Sequence, residues 1–178
     1  MRLVVCPLSQ VGDAWALRPS HVLSLLSPDA KAPPRPGVPA PHRLALRFND
    51  ITQPMDGLTP PDRDSIQALI DFGRSWPGQA PLLIHCWAGI SRSTAAAYII
   101  VCEHGARGQE RNQALALRRA SPQASPNALM VAIADEILGR SGHMIRAISE
   151  IGRGAEASEG QLFSLEVAQR AEISKRAP

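Results

Sequence analysis

The sequence predicts an α/β protein in which a central, mostly parallel sheet is covered by helices on both faces. Two observations predict this class. Short apolar runs recur along the chain, and most of them are followed by a segment whose apolar residues have helical spacing. The length of 178 residues suits a single domain with a sizeable core.

Four segments have the pattern of β-strands. Two are apolar runs of the kind that is buried in a sheet, residues 3–6 and 81–85. Residues 21–26 form a third, mainly apolar strand, and residues 43–48 alternate polar with apolar residues. Between Pro28 and Pro41 six of fourteen residues are proline, which predicts a connector without regular structure.

Helical spacing predicts the elements that lie between and after these strands. The predicted helices are residues 9–17, about 66–76, 92–103, 110–120 and 127–138. Segment 92–103 is apolar on all sides, so we expect a helix that is buried all round. Asp62 and Asp64 lie at the start of the second helix, where acidic residues stabilise the helix N-terminus.

The C-terminal part of the chain has weaker patterns. A helical spacing between residues 145 and 151 predicts one further helix, and we expect the end from Arg170 to be frayed. We therefore divide the chain into a main domain, residues 1–139, and a C-terminal extension, residues 140–178, that packs on the same domain. The sequence indicates neither the role of this extension nor an oligomeric state.

Charge and composition argue against several classes of protein. The net charge of +3 matches an excess between Arg107 and Arg119, which we interpret as a solvated helix face rather than a patch that attracts anionic substrates. No nucleic-acid-binding motif is present and aromatic residues are scarce, so we expect no nucleic-acid partner. The longest apolar run, residues 95–102, is too short to span a membrane, so no membrane partner is expected.

The three cysteines are spread too far apart to form a disulfide framework, which favours a reducing cytoplasm. The cysteines and the five histidines show no zinc-binding spacing, so we expect neither a metal nor a cofactor. Cys6 lies on a separate strand and could approach Cys86 as a redox pair, but we favour a buried apolar role for it.

One segment between a predicted buried strand and the predicted buried helix carries the chemistry. Its residues are His85, Cys86, Trp87, Ala88, Gly89, Ile90, Ser91, Arg92 and Ser93. A helix N-terminus presents unpaired N–H groups and a partial positive charge, which together bind anions. Five residues between Cys86 and Arg92 let several N–H groups converge on one phosphate, and Gly89 permits the backbone angles of such a turn. The planar guanidinium of Arg92 can hold two phosphate oxygens.

The same groups are expected to activate the sulfur. Because Cys86 precedes a helix N-terminus and lies beside an arginine, we expect a thiolate that is a competent nucleophile toward phosphorus. Ser93 can donate a hydrogen bond to this sulfur and ease its departure when an intermediate breaks down. The residues between the cysteine and the arginine are predicted to bind the substrate: Trp87, Ala88, Gly89, Ile90 and Ser91.

The segment resembles the signature loop of the cysteine-dependent protein tyrosine phosphatase superfamily, H-C-x-x-G-x-x-R-S, and is closest to the dual-specificity branch. Residues 21–23 before it, and 116–119 and 125–127 after it, also resemble that branch. The resemblance implies a two-step, metal-free hydrolysis of phosphate monoesters through a cysteinyl-phosphate. It also implies an aspartate as general acid and then general base, and a role for His85 in tuning the cysteine and ordering the loop.

Two aspartates are candidates for the general acid. Asp50 lies 36 residues before Cys86 at the end of a predicted strand, where the family places its acid loop. Asp56 lies 30 residues before Cys86, in an Asp-Gly pair that is also an ordinary turn signal. We favour Asp50, because a catalytic group works best at the end of a rigid element.

The sequence leaves the substrate and two other functions open. A phosphorylated protein or a small phosphate ester would serve as substrate, and phosphotyrosine, phosphoserine or phosphothreonine, nucleotides and RNA 5′ ends all remain open. The loop positions Trp87, Ala88 and Ile90 add no basic side chain for a polyphosphorylated ligand. One alternative is a non-catalytic phosphate-binding module that lacks a working acid. The other is a sulfur transferase of the rhodanese kind, which also uses a cysteine loop at a helix N-terminus.

Overall fold

The computed structural model of the chain describes residues 1–34 and 37–167. This described part contains a five-stranded sheet in the order β3–β2–β4–β1–β5. The strands are β1 (Arg2–Pro7), β2 (His21–Leu26), β3 (Arg43–Arg47), β4 (Leu82–Cys86) and β5 (Phe163–Glu166). The α-helices are α1 (Val11–Ala14), α2 (Arg63–Ser75), α3 (Arg92–His104), α4 (Glu110–Ala120), α5 (Ala128–Ile137) and α6 (His143–Ile151).

The predicted α/β class is confirmed, and the four predicted strands form close to their predicted positions. Strands β1 to β4 are parallel, with β4 paired to both β1 and β2. Every residue of β4 is buried, as its continuous apolar run predicted, and every residue of β2 is buried as well. The proline-rich connector contains one 3₁₀ turn, Ala40–His42, within its described part.

Helices cover the two faces of the sheet unequally. One face packs against α2 to α6 in the larger core, and the other is covered by α1 and by Val38 of the connector. Helix α3 lies within the larger core, where every residue from Arg92 to Glu103 is buried, as its apolar sequence predicted. Among the described residues, no helix is both long and apolar enough to cross a membrane.

The helix starts follow the signals in the sequence. Asp62 precedes α2 and its carboxylate accepts a 2.8 Å hydrogen bond from the Ser65 amide, which lowers the pKa of Asp62. Asn127 precedes α5 and its side-chain oxygen accepts a 3.0 Å hydrogen bond from the Met130 amide. Each cap satisfies one of the unpaired N–H groups of a first helical turn.

The C-terminal extension contains a strand that the sequence analysis did not predict. Helix α6 forms where expected and packs on α4 and α5, and the chain then returns to the sheet as β5, antiparallel to β1. Phe163 and Leu165 are buried while the residues between and after them are exposed. An alternation of buried and exposed residues over only four positions is too short to predict a strand from the sequence. The strand is identified only in the structure, by its pairing with β1. The expected fraying from Arg170 lies outside the described residues.

The arginines of α4 connect the extension to the main domain. Arg118 donates hydrogen bonds to four backbone carbonyls, those of Pro122, Ala124, Ile151 and Gly152. Arg111 forms a 2.8 Å ion pair with Glu150 of α6. We had interpreted this stretch as a solvated helix face. Arg118 departs from that interpretation, because its guanidinium donates to backbone carbonyls just after α4 and at the end of α6.

The pairing of β5 makes a prediction about stability. Leu165→Ala should lower the free energy of unfolding by about 2–4 kcal/mol, because a buried leucine is lost from the core. The matched control is Ser164→Ala on the exposed side of the same strand, with an expected change of about 0.5 kcal/mol or less. Urea denaturation followed by circular dichroism measures both. Equal, small effects would show that β5 does not belong to the cooperative core.

Candidate active site

The loop singled out by the sequence lies at the carboxyl end of the parallel strands. Cys86 is the last residue of β4, and Arg92 is the first residue of α3. Cys86 is only 2% exposed. Cys86 and Arg92 both line one cleft at this edge of the sheet. Open α/β sheets bind ligands at this edge, because the loops that follow the strands converge there.

The carbonyls of the loop are held by donors outside it. The amides of Leu8, Gly160 and Ser125 donate to the carbonyls of Trp87, Ala88 and Ile90 at 3.0, 2.8 and 2.9 Å. In a planar trans peptide the N–H points opposite to the carbonyl. The N–H groups that follow these outward carbonyls therefore face the inside of the loop, the arrangement that binds an anion.

Gly89 is the residue that lets the loop turn. Its φ is +71°, in the region that favours glycine, and a Cβ there would lie 2.6 Å from the backbone nitrogen of Pro7. Both the backbone angle and the close approach of β1 therefore exclude a side chain at this position.

The sulfur of Cys86 has two hydrogen-bond partners. The Gly89 amide donates to Sγ at 3.2 Å, and the Ser93 hydroxyl lies 3.1 Å from Sγ. Ser93 is fully buried in the first turn of α3. These two contacts fix the position of the sulfur between the loop and the first turn of α3.

Arg92 is held in place on one side only. Its Nη1 donates a 3.0 Å hydrogen bond to the carbonyl of Phe48, just after β3. Its Nε is buried and has no hydrogen-bond acceptor within the described part of the chain. The carboxylate oxygen Oδ2 of Asp50 lies 3.8 Å from Nε, too far for a hydrogen bond. A buried cationic donor of this kind is satisfied when an anion binds beside it.

Asp50 lies at the same cleft and is oriented by two side chains. Its Oδ1 accepts hydrogen bonds from the Ser91 hydroxyl at 2.7 Å and from the Asn127 side-chain amide at 2.8 Å. The carboxylate is about one-third exposed. Since Oδ1 takes both hydrogen bonds, Oδ2 is the oxygen that can exchange a proton with a bound molecule.

Asp56 does not reach the cleft. It is exposed in a turn that precedes Gly57, and it is absent from the residues that line the cleft. Thr59 exchanges two hydrogen bonds with Asn49, which closes the intervening loop at its base. Of the two aspartates left open by the sequence, the structure therefore places only Asp50 beside Cys86 and Arg92.

His85 lies behind the loop rather than in the cleft. It is fully buried on the face of the sheet opposite to Cys86, because neighbouring residues of a strand point to opposite faces. Its Nε2 lies 2.7 Å from the Ser24 hydroxyl of the adjacent strand β2. From this position it can order the end of β4 but cannot touch a molecule bound in the cleft.

The cleft has a volume of about 440 Å³ and is lined by four parts of the chain. The loop contributes Trp87, Ala88, Ile90 and Ser91 beside the cysteine and the arginine. The other parts are the end of β2 with the start of the connector, Asp50, and residues 157–158 of the extension. Trp87 is 65% exposed at the rim.

The other cysteines and the histidines form no second reactive centre. Cys6 is fully buried on the sheet face opposite to Cys86, which places it away from the cleft. In residues 1–34 and 37–167, no three His, Cys, Asp or Glu side chains cluster closely enough to hold a metal ion.

Comparison with solved structures shows that this fold is known. The crystal structure of DUSP15 matches with a TM-score of 0.56 at 19% identity, over 82% of this chain and 89% of that one. A mouse protein described as a dual specificity phosphatase, in complex with zinc tungstate, matches with a TM-score of 0.51 at 19% identity, over 78% of this chain and 80% of that one. No family profile and no curated protein sequence matches the chain. The chain thus has the fold of the dual-specificity phosphatases.

Several site residues were missed by the sequence analysis. The sequence analysis named Asn127 only as part of residues 125–127, which resemble the dual-specificity branch. An asparagine directly before a helix is an N-cap signal, so the sequence does indicate a structural role for Asn127 at the start of α5. Its hydrogen bond to Asp50 joins residues 77 positions apart and has no local signal. Ala157 and Ser158 lie in a segment without a recognisable pattern, so no signal indicated that they line the cleft.

The buried thiols make a prediction about chemical labelling. Burial raises the pKa of Cys6 and that of Cys102 to about 12, so both are almost entirely protonated at pH 8. Iodoacetamide should therefore modify the folded protein at Cys86 alone, and orthovanadate should slow that reaction. Peptide mass spectrometry after timed quenching measures the three sites, with the urea-unfolded chain as the control in which all three react. Equal labelling of Cys6 and Cys86 in the folded protein would contradict this prediction.

Proposed function

We propose that this chain is a cysteine-dependent phosphatase that hydrolyses phosphate monoesters. One observation carries the proposal: three kinds of group surround the same cleft. They are the Cys86 sulfur, the inward-facing amides of the loop, and the Nε of Arg92, which has no hydrogen-bond acceptor among the described residues. Preorganised donors around a nucleophile favour a substrate that is anionic and gains charge at the reacting centre, as a phosphate monoester does.

In the first step the Cys86 thiolate attacks phosphorus. A sulfur–phosphorus bond forms while the bond from phosphorus to the leaving oxygen breaks. The loop amides and Arg92 hold the three remaining phosphate oxygens through this step. Asp50 donates its proton from Oδ2 to the leaving oxygen, so that the alcohol or phenol departs uncharged.

In the second step water hydrolyses the cysteinyl-phosphate. Asp50, now ionised, accepts a proton from the attacking water, and the sulfur–phosphorus bond breaks to release inorganic phosphate. The Ser93 hydroxyl, 3.1 Å from Sγ, donates a hydrogen bond to the departing thiolate. The positive groups at the phosphate belong to the protein, so this mechanism uses neither a metal nor a cofactor.

The proposed substrates are phosphorylated proteins or small phosphate esters, and the proposed compartment is the cytoplasm. The three cysteines are free and buried in the structure, and free thiols are typical of a reducing compartment. Arg92 is the only Lys or Arg among the described residues that line the cleft, which favours a substrate with one phosphate over a polyphosphorylated one.

The proposed mechanism predicts how three substitutions affect phosphatase activity. Cys86→Ser should abolish hydrolysis of phenyl phosphate, because the nucleophile is lost. Asp50→Asn should lower kcat by about 10²–10⁴-fold, the usual effect of removing a general acid. Asp56→Asn, the matched control on the same loop, should leave kcat unchanged. Steady-state release of inorganic phosphate measures all three, at pH values from about 4, close to the usual pKa of an aspartate, to about 9.

Other outcomes would favour the two alternative functions. If the wild-type chain binds orthovanadate without hydrolysing any phosphate ester, the binding module replaces the enzyme. Thiosulfate:cyanide sulfur transfer without phosphatase activity would indicate a rhodanese-type enzyme. Loss of activity in Asp56→Asn but not in Asp50→Asn would give the acid role to Asp56.

Asn127 is proposed to position the general acid. Asn127→Ser should keep the α5 cap but remove the amide that donates to Asp50, so we expect kcat for phenyl phosphate to fall about ten- to hundredfold. The loss should be much smaller for 4-nitrophenyl phosphate, whose leaving group needs little protonation. Steady-state kinetics with both esters, alongside urea denaturation, measures this difference. An equal loss with both esters would mean that Asn127 supports the fold rather than the acid.

A further inference from the structure

We propose that Gly160, in the C-terminal extension, is a positioning residue for the nucleophile Cys86 and for the phosphate that binds beside it. This inference rests on the proposed function and deepens it, because it makes the extension a working part of the active site. Gly160 belongs to residues 152–162, which we call the strap and which join α6 to β5. It lies far outside the segment 85–93 that carries the resemblance to the phosphatase signature.

One peptide plane connects Gly160 to the sulfur of Cys86. The Gly160 amide donates a 2.8 Å hydrogen bond to the carbonyl of Ala88. The amide at the other side of the same peptide, that of Gly89, donates a 3.2 Å hydrogen bond to Sγ of Cys86. Because a peptide is rigid and planar, fixing its carbonyl also fixes the direction of its N–H group. Gly160 therefore holds the Gly89 N–H group toward the sulfur.

The loop is packed between two backbone segments at this point. A Cβ on Gly89 would lie 2.6 Å from the backbone nitrogen of Pro7, and a Cβ on Gly160 would lie 2.9 Å from the carbonyl oxygen of Gly89. Both distances are shorter than a Cβ atom tolerates, so neither position accepts a side chain without a shift of the backbone. Gly160 is also buried. With the end of β1 on one side and the strap on the other, the peptide between Ala88 and Gly89 has little room to rotate.

The strap is held at this end by the short turn that follows β1. The Gln10 side chain contacts it twice, since Oε1 accepts a 2.8 Å hydrogen bond from the Leu162 amide and Nε2 donates to the carbonyl of Gly160 at 3.4 Å. The Ser9 hydroxyl donates to the carboxylate of Glu159 at 2.5 Å. Residues on both sides of Gly160 in the sequence are therefore bound, which presents its amide to the loop.

The other end of the strap is bound to the segment between α4 and α5. Arg118 donates to the carbonyl of Gly152 at 2.7 Å, and the Gly154 amide donates to the Ser125 hydroxyl at 3.0 Å. Ser125 donates its own amide to the carbonyl of Ile90 in the loop. With contacts at both of its ends, the strap provides a fixed support for the loop.

The position of the Gly89 N–H group matters for the proposed chemistry. It faces the inside of the loop, where the proposed mechanism places the sulfur and the phosphate oxygens. A preorganised donor loses much of its effect when it is displaced by about an ångström. A shift of this peptide should therefore weaken the binding of phosphate-like anions and slow the attack on phosphorus. Proton transfer from Asp50 should be unaffected, because Ser91 and Asn127 rather than the strap hold its carboxylate.

The test is Gly160→Ala, which keeps the N–H group but places a Cβ against the carbonyl of Gly89. We expect orthovanadate to bind about ten- to hundredfold more weakly, as measured by isothermal titration calorimetry. The values of kcat/KM for phenyl phosphate and 4-nitrophenyl phosphate should fall by the same factor. In amide NMR spectra the Gly89 resonance should move, because its N–H group is reoriented.

A milder variant covers the case in which Gly160→Ala does not fold. Gln10→Ala removes the side chain that contacts Gly160 and Leu162 but adds no atom to the strap. It should also move the Gly89 resonance and weaken the binding of orthovanadate, by a smaller factor.

Two controls separate positioning from stability. Gly12→Ala is the matched substitution at an exposed glycine whose Cβ would meet nothing within 4 Å, so its affinity for orthovanadate should equal that of the wild type. Leu165→Ala destabilises the extension at a residue that does not line the cleft, and it should likewise keep the wild-type affinity. Urea denaturation measures the stability of every variant.

The outcomes separate this inference from the proposed function. An unmoved Gly89 resonance or wild-type vanadate affinity in folded Gly160→Ala would overturn the inference. An equal loss of affinity in Leu165→Ala would also overturn it, because affinity would then follow stability alone. If the wild-type chain binds orthovanadate but does not hydrolyse phenyl phosphate, only the proposed enzyme fails, and the affinity and NMR results still decide the role of Gly160. Failure of the wild-type chain to bind orthovanadate would overturn both.

Discussion

The candidate site depends on one constraint, which is that the carbonyls of the loop between Cys86 and Arg92 point outward. Three amides that are far apart in the sequence, those of Leu8, Ser125 and Gly160, hold them there. Because a peptide plane has two opposite polar ends, each outward carbonyl turns an N–H group toward the inside. The inward orientation of the loop amides, on which the proposed anion binding depends, is therefore produced by the segments packed around the loop.

Asp50, the proposed general acid, and Arg92, the proposed phosphate ligand, are coupled by the same kind of contact. Arg92 is bound to the carbonyl of Phe48, and Asp50, two residues further on, is bound to the hydroxyl of Ser91. The end of β3 and the start of α3 are thus joined by two hydrogen bonds, and both donors belong to the start of α3. These bonds hold the carboxylate and the guanidinium at the same cleft, 3.8 Å apart.

The extension participates in both the sheet and the cleft. Strand β5 covers the edge of β1, and residues 152–162 cross from α6 to that strand past the carboxyl ends of the parallel strands. Arg118 satisfies carbonyls on both sides of the junction, which ties the extension to α4. A division of the chain near Gly139 describes the sequence patterns well, although the contacts across it are extensive.

The sequence by itself determined the features that depend on local pattern. These are the four parallel strands, the buried helix α3 and the Cys86-to-Arg92 spacing, since periodicity and turn chemistry act within a few residues. Only the tertiary structure decided which aspartate lies at the cleft, that Asn127 holds it, and that residues 157–158 line it. Each of these facts is a contact between segments tens of residues apart, such as the 77 between Asp50 and Asn127. A strand of four residues such as β5 likewise exists because β1 offers an edge to pair with, and no local pattern encodes that edge.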